Sequence, residues 1–124
     1  MKQKFLICRH CGNIVSLIRN MGVPIYCCGE EMHELLPDSV EASGEKHSPV
    51  YCVDGNNVHV SVGLIHHPMT KEHYIEWICL ETDFSLQFKH LTDKDTPTAN
   101  FALCEGDKVR HVYAFCNQHD LWRK

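Results

Sequence analysis

The sequence lacks any long hydrophobic run. No window of its 124 residues approaches the length of a membrane span or of the apolar segment of a signal peptide. Runs of basic residues are also absent, and the formal net charge is −4, so the electrostatic footprint of a nucleic-acid-binding protein is missing. We therefore expect a cytoplasmic protein with no membrane segment and no nucleic-acid partner.

Amphipathic segments of helical length are missing as well. From about residue 49 onwards, apolar and polar residues alternate in short stretches, as in Val58 to Val62. The Asp54-Gly55 pair before that stretch is typical of a hairpin turn. Short strands separated by turns predict an all-β fold whose main part is an antiparallel β-sandwich. The predicted strands are Tyr51 to Val53, Val58 to Val62, Tyr74 to Glu81, Phe84 to Phe88, Thr98 to Cys104 and Val109 to Phe115.

Cysteine and histidine, in contrast, are abundant, with 8 Cys and 10 His. Because disulfides do not persist in a reducing compartment, the cysteines of the expected cytoplasmic protein need another explanation. Clusters of thiol and imidazole groups are the usual ligands of transition metals. Metal binding is therefore the leading interpretation.

The amino-terminal segment predicts the first metal site. Cys8 and Cys11 form a CxxC pair, Cys27 and Cys28 follow side by side, and a glycine comes directly after each pair. Between them, Asn13 to Ile18 is predicted to form a short strand. So short a segment cannot bury enough surface to fold alone, so a bound ion would stabilise it. We expect a first domain over 1–36, and a polar connection that opens the second domain, over 37–124.

The ion in this first site is either zinc or iron. Four cysteines can surround one tetrahedral ion of either kind, with zinc acting as a structural staple and iron as a one-electron carrier. Zinc ribbons normally keep two residues between paired ligands. The adjacency of Cys27 and Cys28 therefore favours iron.

A second site would be assembled from histidines spread along the sandwich. The candidates stand at predicted strand or loop margins, where residues from different strands can converge at one end of the fold. A lone histidine of this kind is usually a surface or core group, but the set is harder to dismiss. Its members are His47, His67, His73, Cys116 and His119.

Taken in order, these motifs resemble the desulfoferrodoxins, a family of two-iron superoxide reductases. They are CxxC followed by CC, EKH before a proline, HPM followed by HYIEW, and a terminal CNxH before LW. The resemblance covers almost the whole chain. It implies a small desulforedoxin-like domain with a four-cysteine iron, followed by an immunoglobulin-like β-sandwich with a second, five-coordinate iron.

The resemblance also implies the ligands and roles of individual residues. The first iron would be bound by Cys8, Cys11, Cys27 and Cys28, and the second by His47, His67, His73, His119 and the axial Cys116. Of the adjacent pair His66 and His67, it selects the one directly before the proline. It further implies superoxide as substrate, a rubredoxin-like electron donor and a homodimer. Because a chain with a net charge of −4 opposes an anion, we expect Lys46 beside His47 to attract superoxide, the alternative being a solvated linker lysine, and Glu45 to displace peroxide.

One residue departs from the family pattern. Asp120 stands where the family usually has glycine after the terminal histidine. Aspartate tolerates a left-handed backbone conformation better than most residues, so we expect the turn to survive.

Two other functions fit parts of the sequence. A blue-copper-like carrier is also a β-sandwich with a late cysteine-histidine pair, but it needs a methionine after the final histidine and only two histidines. A zinc knuckle on a binding domain leaves the histidine motifs unexplained. The remaining Cys52, Cys79 and Cys104 are predicted to lie in the core as small apolar groups. Trp77 and Trp122 are predicted to be packing residues, with shielding of the carboxyl-terminal ligands from water as a second role open to Trp122.

Overall fold

The fold was examined in a computed structural model that describes residues 3–124. The chain divides into two compact units, Met1–Leu36 and Pro37–Lys124. The prediction of an all-β fold is confirmed. The described residues include one helix of four residues, and none of their helices is long and apolar enough to cross a membrane.

The first unit is built from five short strands. A three-stranded antiparallel sheet has the order β2-β1-β5, and β3 pairs with β4 in a separate ribbon. The predicted strand over Asn13 to Ile18 is present in shortened form as β2. A few buried apolar side chains, among them Phe5 and Leu35, form its small interior. The strands are β1 Phe5–Ile7, β2 Ile14–Ser16, β3 Tyr26–Cys27, β4 Glu30–Glu31 and β5 His33–Glu34.

The second unit is a seven-stranded antiparallel sandwich. One sheet has the order β10-β7-β6 and the other β12-β11-β8-β9, a division into three and four strands that is typical of immunoglobulin-like domains. The helix precedes the first strand. The elements are α1 Gly44–His47, β6 Pro49–Asp54, β7 Asn57–Val62, β8 Ile75–Thr82, β9 Leu86–His90, β10 Thr98–Ala102, β11 Val109–Cys116 and β12 Asp120–Arg123.

The core of the sandwich follows the alternation in the sequence. Val58, Val60 and Val62 point inward from β7 and are almost fully buried, and they join one cluster with Ile78 and Leu80 of β8. The β6–β7 hairpin closes at the predicted turn, where Asp54 pairs with Asn57 and Gly55 has a φ of 61°. The period-2 pattern thus sets which side chains fill the space between the sheets.

The prediction for the spare cysteines is wrong at two of the three positions. Cys79 on the central strand β8 is fully buried, but Cys52 and Cys104 are exposed. Cys52 lies on β6, the edge strand of its sheet, and Cys104 follows the end of β10. An alternating pattern does not tell an edge strand from a central one, because both place every second residue on one face.

Candidate metal centres

The four amino-terminal cysteines converge on one point. Their sulfur atoms all lie within 4.8 Å of one another, and the Sγ atoms of Cys11 and Cys27 are 3.6 Å apart. Four sulfurs at ~2.3 Å from one tetrahedral ion would be separated by ~3.8 Å. The spacing of this group, which we call the four-cysteine site, therefore fits a single ion.

Backbone conformation explains how the adjacent cysteines share this site. Cys28 has a φ of 53°, and Gly29 has a φ of 78°. A left-handed residue reverses the chain locally, so the thiols of Cys27 and Cys28 both reach the centre. On the other pair, Gly12 has a φ of 85°, and the Asn13 N–H donates to the Cys11 sulfur at 3.4 Å.

The thiols of this site have unequal affinities for protons. Hydrogen bonding from the Cys11 backbone N–H lowers the pKa of Cys8 to about 6. Hydrogen bonding to the Cys11 thiol is the main cause that raises the pKa of Cys28 to about 12. Clustered thiols share protons because several neighbouring thiolates repel one another. A bound cation would replace those protons.

The five residues of the second group also come together, and we call them the histidine-cysteine site. Donor atoms of His47, His67, His73 and Cys116 lie within 4.8 Å of one another. The Nδ1 atom of His119 is 3.0 Å from Nε2 of His47 and 3.8 Å from Sγ of Cys116. Two nitrogens at right angles about one ion at ~2.1 Å would be ~3.0 Å apart.

Separate elements at one end of the sandwich supply these ligands. His47 ends α1, and His67 and His73 lie in the connection between β7 and β8. Cys116 is the last residue of β11, where a register shift interrupts its pairing with β8; such bulges often re-aim a side chain beside a functional site. His119 lies in the turn to β12.

Backbone carbonyls fix the orientation of two imidazole rings. The Nδ1–H of His47 donates to the Ser43 carbonyl at 2.7 Å, and the Nδ1–H of His67 donates to the Pro68 carbonyl at 2.6 Å. Since a carbonyl only accepts, each ring carries its proton on Nδ1 and leaves Nε2 unprotonated. These two nitrogens are therefore available to bind a cation, although Nε2 of His47 also lies 3.0 Å from Nδ1 of His119.

The protonation states of the histidine rings and the buried Cys116 thiol favour the binding of a cation. Burial lowers the pKa of His47, His67 and His73, that of His67 to about 4, so the rings are neutral at pH 7. The Nε2 atoms of His67 and His73 are buried without a hydrogen-bond partner. Burial raises the pKa of Cys116, so its thiolate form needs a compensating positive charge. Two orphaned lone pairs beside a buried sulfur fit a metal ion.

The turn that carries His119 contains the unusual aspartate. Cys116 pairs with Asp120 across a three-residue loop, Asn117 to His119. Asp120, the first residue after this loop, has a φ of 61°, which lies in the left-handed region. The expectation that aspartate adopts this conformation is confirmed.

The residues predicted to handle substrate lie beside the site. Glu45 and Lys46 are exposed on α1, directly before the buried His47. Burial is the main cause that lowers the pKa of His47, and the Lys46 charge adds to it. The positive charge of Lys46 therefore lies directly beside a member of the histidine-cysteine site.

Two supporting groups could not be found from the sequence. The carbonyls of Ser43 and Pro68 orient two rings, whereas Trp122, which the sequence had singled out, stacks on His47. Backbone acceptors carry no residue-type signal, so only the folded chain identifies them. His66, the neighbour set aside in favour of His67, is exposed.

Comparisons with known proteins agree with this geometry. The family model for desulfoferrodoxins matches residues 39–124. A desulfoferrodoxin of Clostridium acetobutylicum is 38% identical over 117 residues, covering 94% of this chain and 91% of that protein. One from Nitratidesulfovibrio vulgaris is 39% identical over 116 residues, covering 94% and 90%. The crystal structure of the superoxide reductase from Treponema pallidum is similar over 100% of this chain and 99% of that chain, with a TM-score of 0.84 and 35% identity.

Proposed function

The chain belongs to the desulfoferrodoxin family, and on that basis we propose that it is a superoxide reductase. The reaction is the addition of one electron and two protons to superoxide, which yields hydrogen peroxide. The observation that carries the proposal is the convergence of four histidines and the buried Cys116 on one point. The relative named superoxide reductase from Treponema pallidum supports the specific activity.

We assign the ligands of two iron ions to the two groups of residues. The four-cysteine site would bind one iron through Cys8, Cys11, Cys27 and Cys28, as an electron-transfer centre. The catalytic iron would be bound by His47, His67, His73, His119 and Cys116. When bound there in the ferrous state, iron supplies the electron that reduces superoxide.

The ligand set favours a small anion as substrate. Four neutral imidazoles add no charge, and one thiolate leaves a ferrous site with a formal charge of about +1. Carboxylates in place of the histidines would make the site neutral or negative and would repel superoxide. With these five residues as its ligands, a bound iron would keep room for the substrate, as a catalytic metal site requires.

Two exposed residues complete the proposed mechanism. The protein carries a formal charge of −4, which opposes the approach of an anion from solution. Lys46 reverses the field locally and draws superoxide toward the site. Glu45, next to it on α1, would place a carboxylate beside the site that favours departure of the peroxide product. We also propose a rubredoxin-like electron donor and a homodimer as the functional assembly, on the family resemblance.

Metal analysis combined with rapid kinetics tests the proposal. We expect two irons per chain, one visible band pattern from the four-cysteine site, and a second from the Cys116 thiolate after oxidation. Superoxide generated by pulse radiolysis should decay in a second-order reaction with the reduced protein, with one peroxide formed per oxidised site. Zinc in both sites, or two irons without peroxide formation, would refute the proposal; the second result would favour a purely electron-carrying metalloprotein.

A further inference from the structure

The side chain of Asn117 joins two segments of the histidine-cysteine site. Its Oδ1 accepts a hydrogen bond from the Tyr74 N–H at 3.0 Å, and its Nδ2 donates to the Glu72 carbonyl at 3.0 Å. Glu72 and Tyr74 are the two chain neighbours of His73. The carboxamide of Asn117, the residue after Cys116, therefore forms hydrogen bonds to the backbone on both sides of His73.

His73 is held differently from the other buried histidines. The rings of His47 and His67 donate from Nδ1 to backbone carbonyls. His73 is instead held through its backbone: Thr70 Oγ1 accepts from the His73 N–H at 3.1 Å and donates to its carbonyl at 3.2 Å. Thr70 closes this turn locally, whereas Asn117 connects the turn to the end of β11.

Gln118 adds a weaker version of the same connection. Its Nε2 donates to the Glu72 carbonyl at 2.7 Å, but it makes no second bond beyond His73. The backbone N–H of Asn117 also donates to the Tyr74 carbonyl at 3.2 Å, and this bond does not depend on the side chain. Replacing the Asn117 side chain would therefore remove two bonds and leave the backbone pairing in place.

We propose that Asn117 is a positioning residue that sets the distance and angle between His73 and Cys116. The assignment rests on the proposed metal site, because it concerns two of its ligands. The Nε2 atom of His73 is buried without a partner, so its direction depends on the backbone that carries it. Residues that orient ligands from outside the coordination sphere commonly change metal affinity by 10- to 100-fold when replaced.

The exposure of Asn117 makes this role separable from packing. Its side chain is exposed, so its truncation opens no cavity in the core. A loss of hydrogen bonds at the surface costs little stability when water can replace them. If Asn117 positions His73, its replacement should therefore lower the Fe²⁺ affinity more than the loss in free energy of unfolding accounts for.

The test measures ferrous iron binding in the full-length protein, without superoxide. We expect Asn117→Ala to weaken Fe²⁺ binding at the histidine-cysteine site by about 10-fold in competition with a chelator, and to shift its thiolate band after oxidation. The spectrum of the four-cysteine site serves as the reference within the same molecule. If the wild-type protein binds no iron in the second site, the proposed function fails rather than the role of Asn117.

Three further variants make the result decisive. Gln118→Ala removes one bond to the same Glu72 carbonyl and should have a clearly smaller effect. Asn100→Ala removes an exposed amide that bonds to His59 on β7 and should have none. Asn117→Asp keeps the acceptor for the Tyr74 N–H but loses the donor to the Glu72 carbonyl, so it should weaken Fe²⁺ binding to an intermediate degree. This variant tests the role of Asn117 if the alanine variant does not fold.

Wild-type affinity and band position in Asn117→Ala would overturn the proposal. So would an equal loss in Gln118→Ala, or a loss that follows the free energy of unfolding alone. If only Asn117→Asp can be prepared, unchanged iron binding in that variant would overturn it.

Discussion

Trp122 stacks on the imidazole of His47, with ring centroids 5.0 Å apart and an angle of 27° between the planes. The indole N–H also donates to the His119 carbonyl at 3.1 Å. Trp122 is 5% exposed, so it covers one proposed ligand and ties down the segment that carries another. Trp122 thus packs in the core, as predicted, and lies where it can shield the histidine-cysteine site, the second role that the sequence suggested for it.

We predict that Trp122→Ala and Trp122→Phe differ in how they affect the iron. The alanine variant should lose about 3–5 kcal/mol of unfolding free energy and release iron from the histidine-cysteine site faster. Phenylalanine keeps most of the stacking but lacks the N–H donor, so it should cost less stability. Urea unfolding and chelator-driven iron release measure the two effects. Equal iron release from wild type and Trp122→Ala would contradict the shielding role.

Gly63 gives a second prediction, about the helix that carries His47. It is buried with a φ of +85°, and a Cβ atom there would clash with the Ile65 carbonyl oxygen of the same β7–β8 connection and lie 2.7 Å from the Glu45 carbonyl oxygen and 2.8 Å from the Lys46 Cα. Its own N–H donates to the Ser48 carbonyl at 3.0 Å. Gly63→Ala should therefore displace α1, lower the iron content of the histidine-cysteine site and slow the reaction with superoxide.

A matched glycine separates this displacement from backbone strain. Gly106 has a φ of +82°, but a Cβ there would meet no atom within 4 Å. Gly106→Ala should lower the free energy of unfolding by about 1–2 kcal/mol, the cost of a left-handed backbone for a residue with a Cβ atom. It should leave the iron spectrum unchanged. The same spectral change in both variants would show that strain, rather than the clash with α1, is responsible.

Much of this arrangement was predictable because its signals are local. The alternation around Val58 predicted a core strand, and the family resemblance carried by the ordered motifs pointed to the five residues that the structure brings together, whose role as ligands stays a prediction. The Gly63 contact was not predictable, because it depends on how the β7–β8 connection folds back over α1. The prediction that Cys52 lies in the core was wrong for a similar reason, since its exposure follows from the position of β6 at a sheet edge.

The exposed pair on α1 leads to a prediction about rate and salt. Lys46→Ala should slow the second-order reaction with superoxide by about 10-fold at low ionic strength, because it removes a positive charge beside the site. The difference should shrink at high salt, where charges are screened. Glu45→Ala should leave this step nearly unchanged, and Lys108→Ala, an exposed lysine before β11, serves as the control. Pulse radiolysis measures the rates; a Lys46→Ala rate equal to wild type would remove Lys46 from the mechanism.

Asp120 supplies the last prediction, because it occupies a glycine-like position directly after a proposed ligand. Its φ of 61° is tolerated by aspartate but is a true outlier for a β-branched residue. Asp120→Gly should therefore keep the stability within about 1 kcal/mol, since relief of strain offsets the greater freedom of glycine in the unfolded chain. Asp120→Val should destabilise the protein and disturb the Cys116 thiolate band, because the strained turn carries His119. Urea unfolding and the visible spectrum test both variants, and a Val variant with a wild-type band would show that the turn does not hold the ligand.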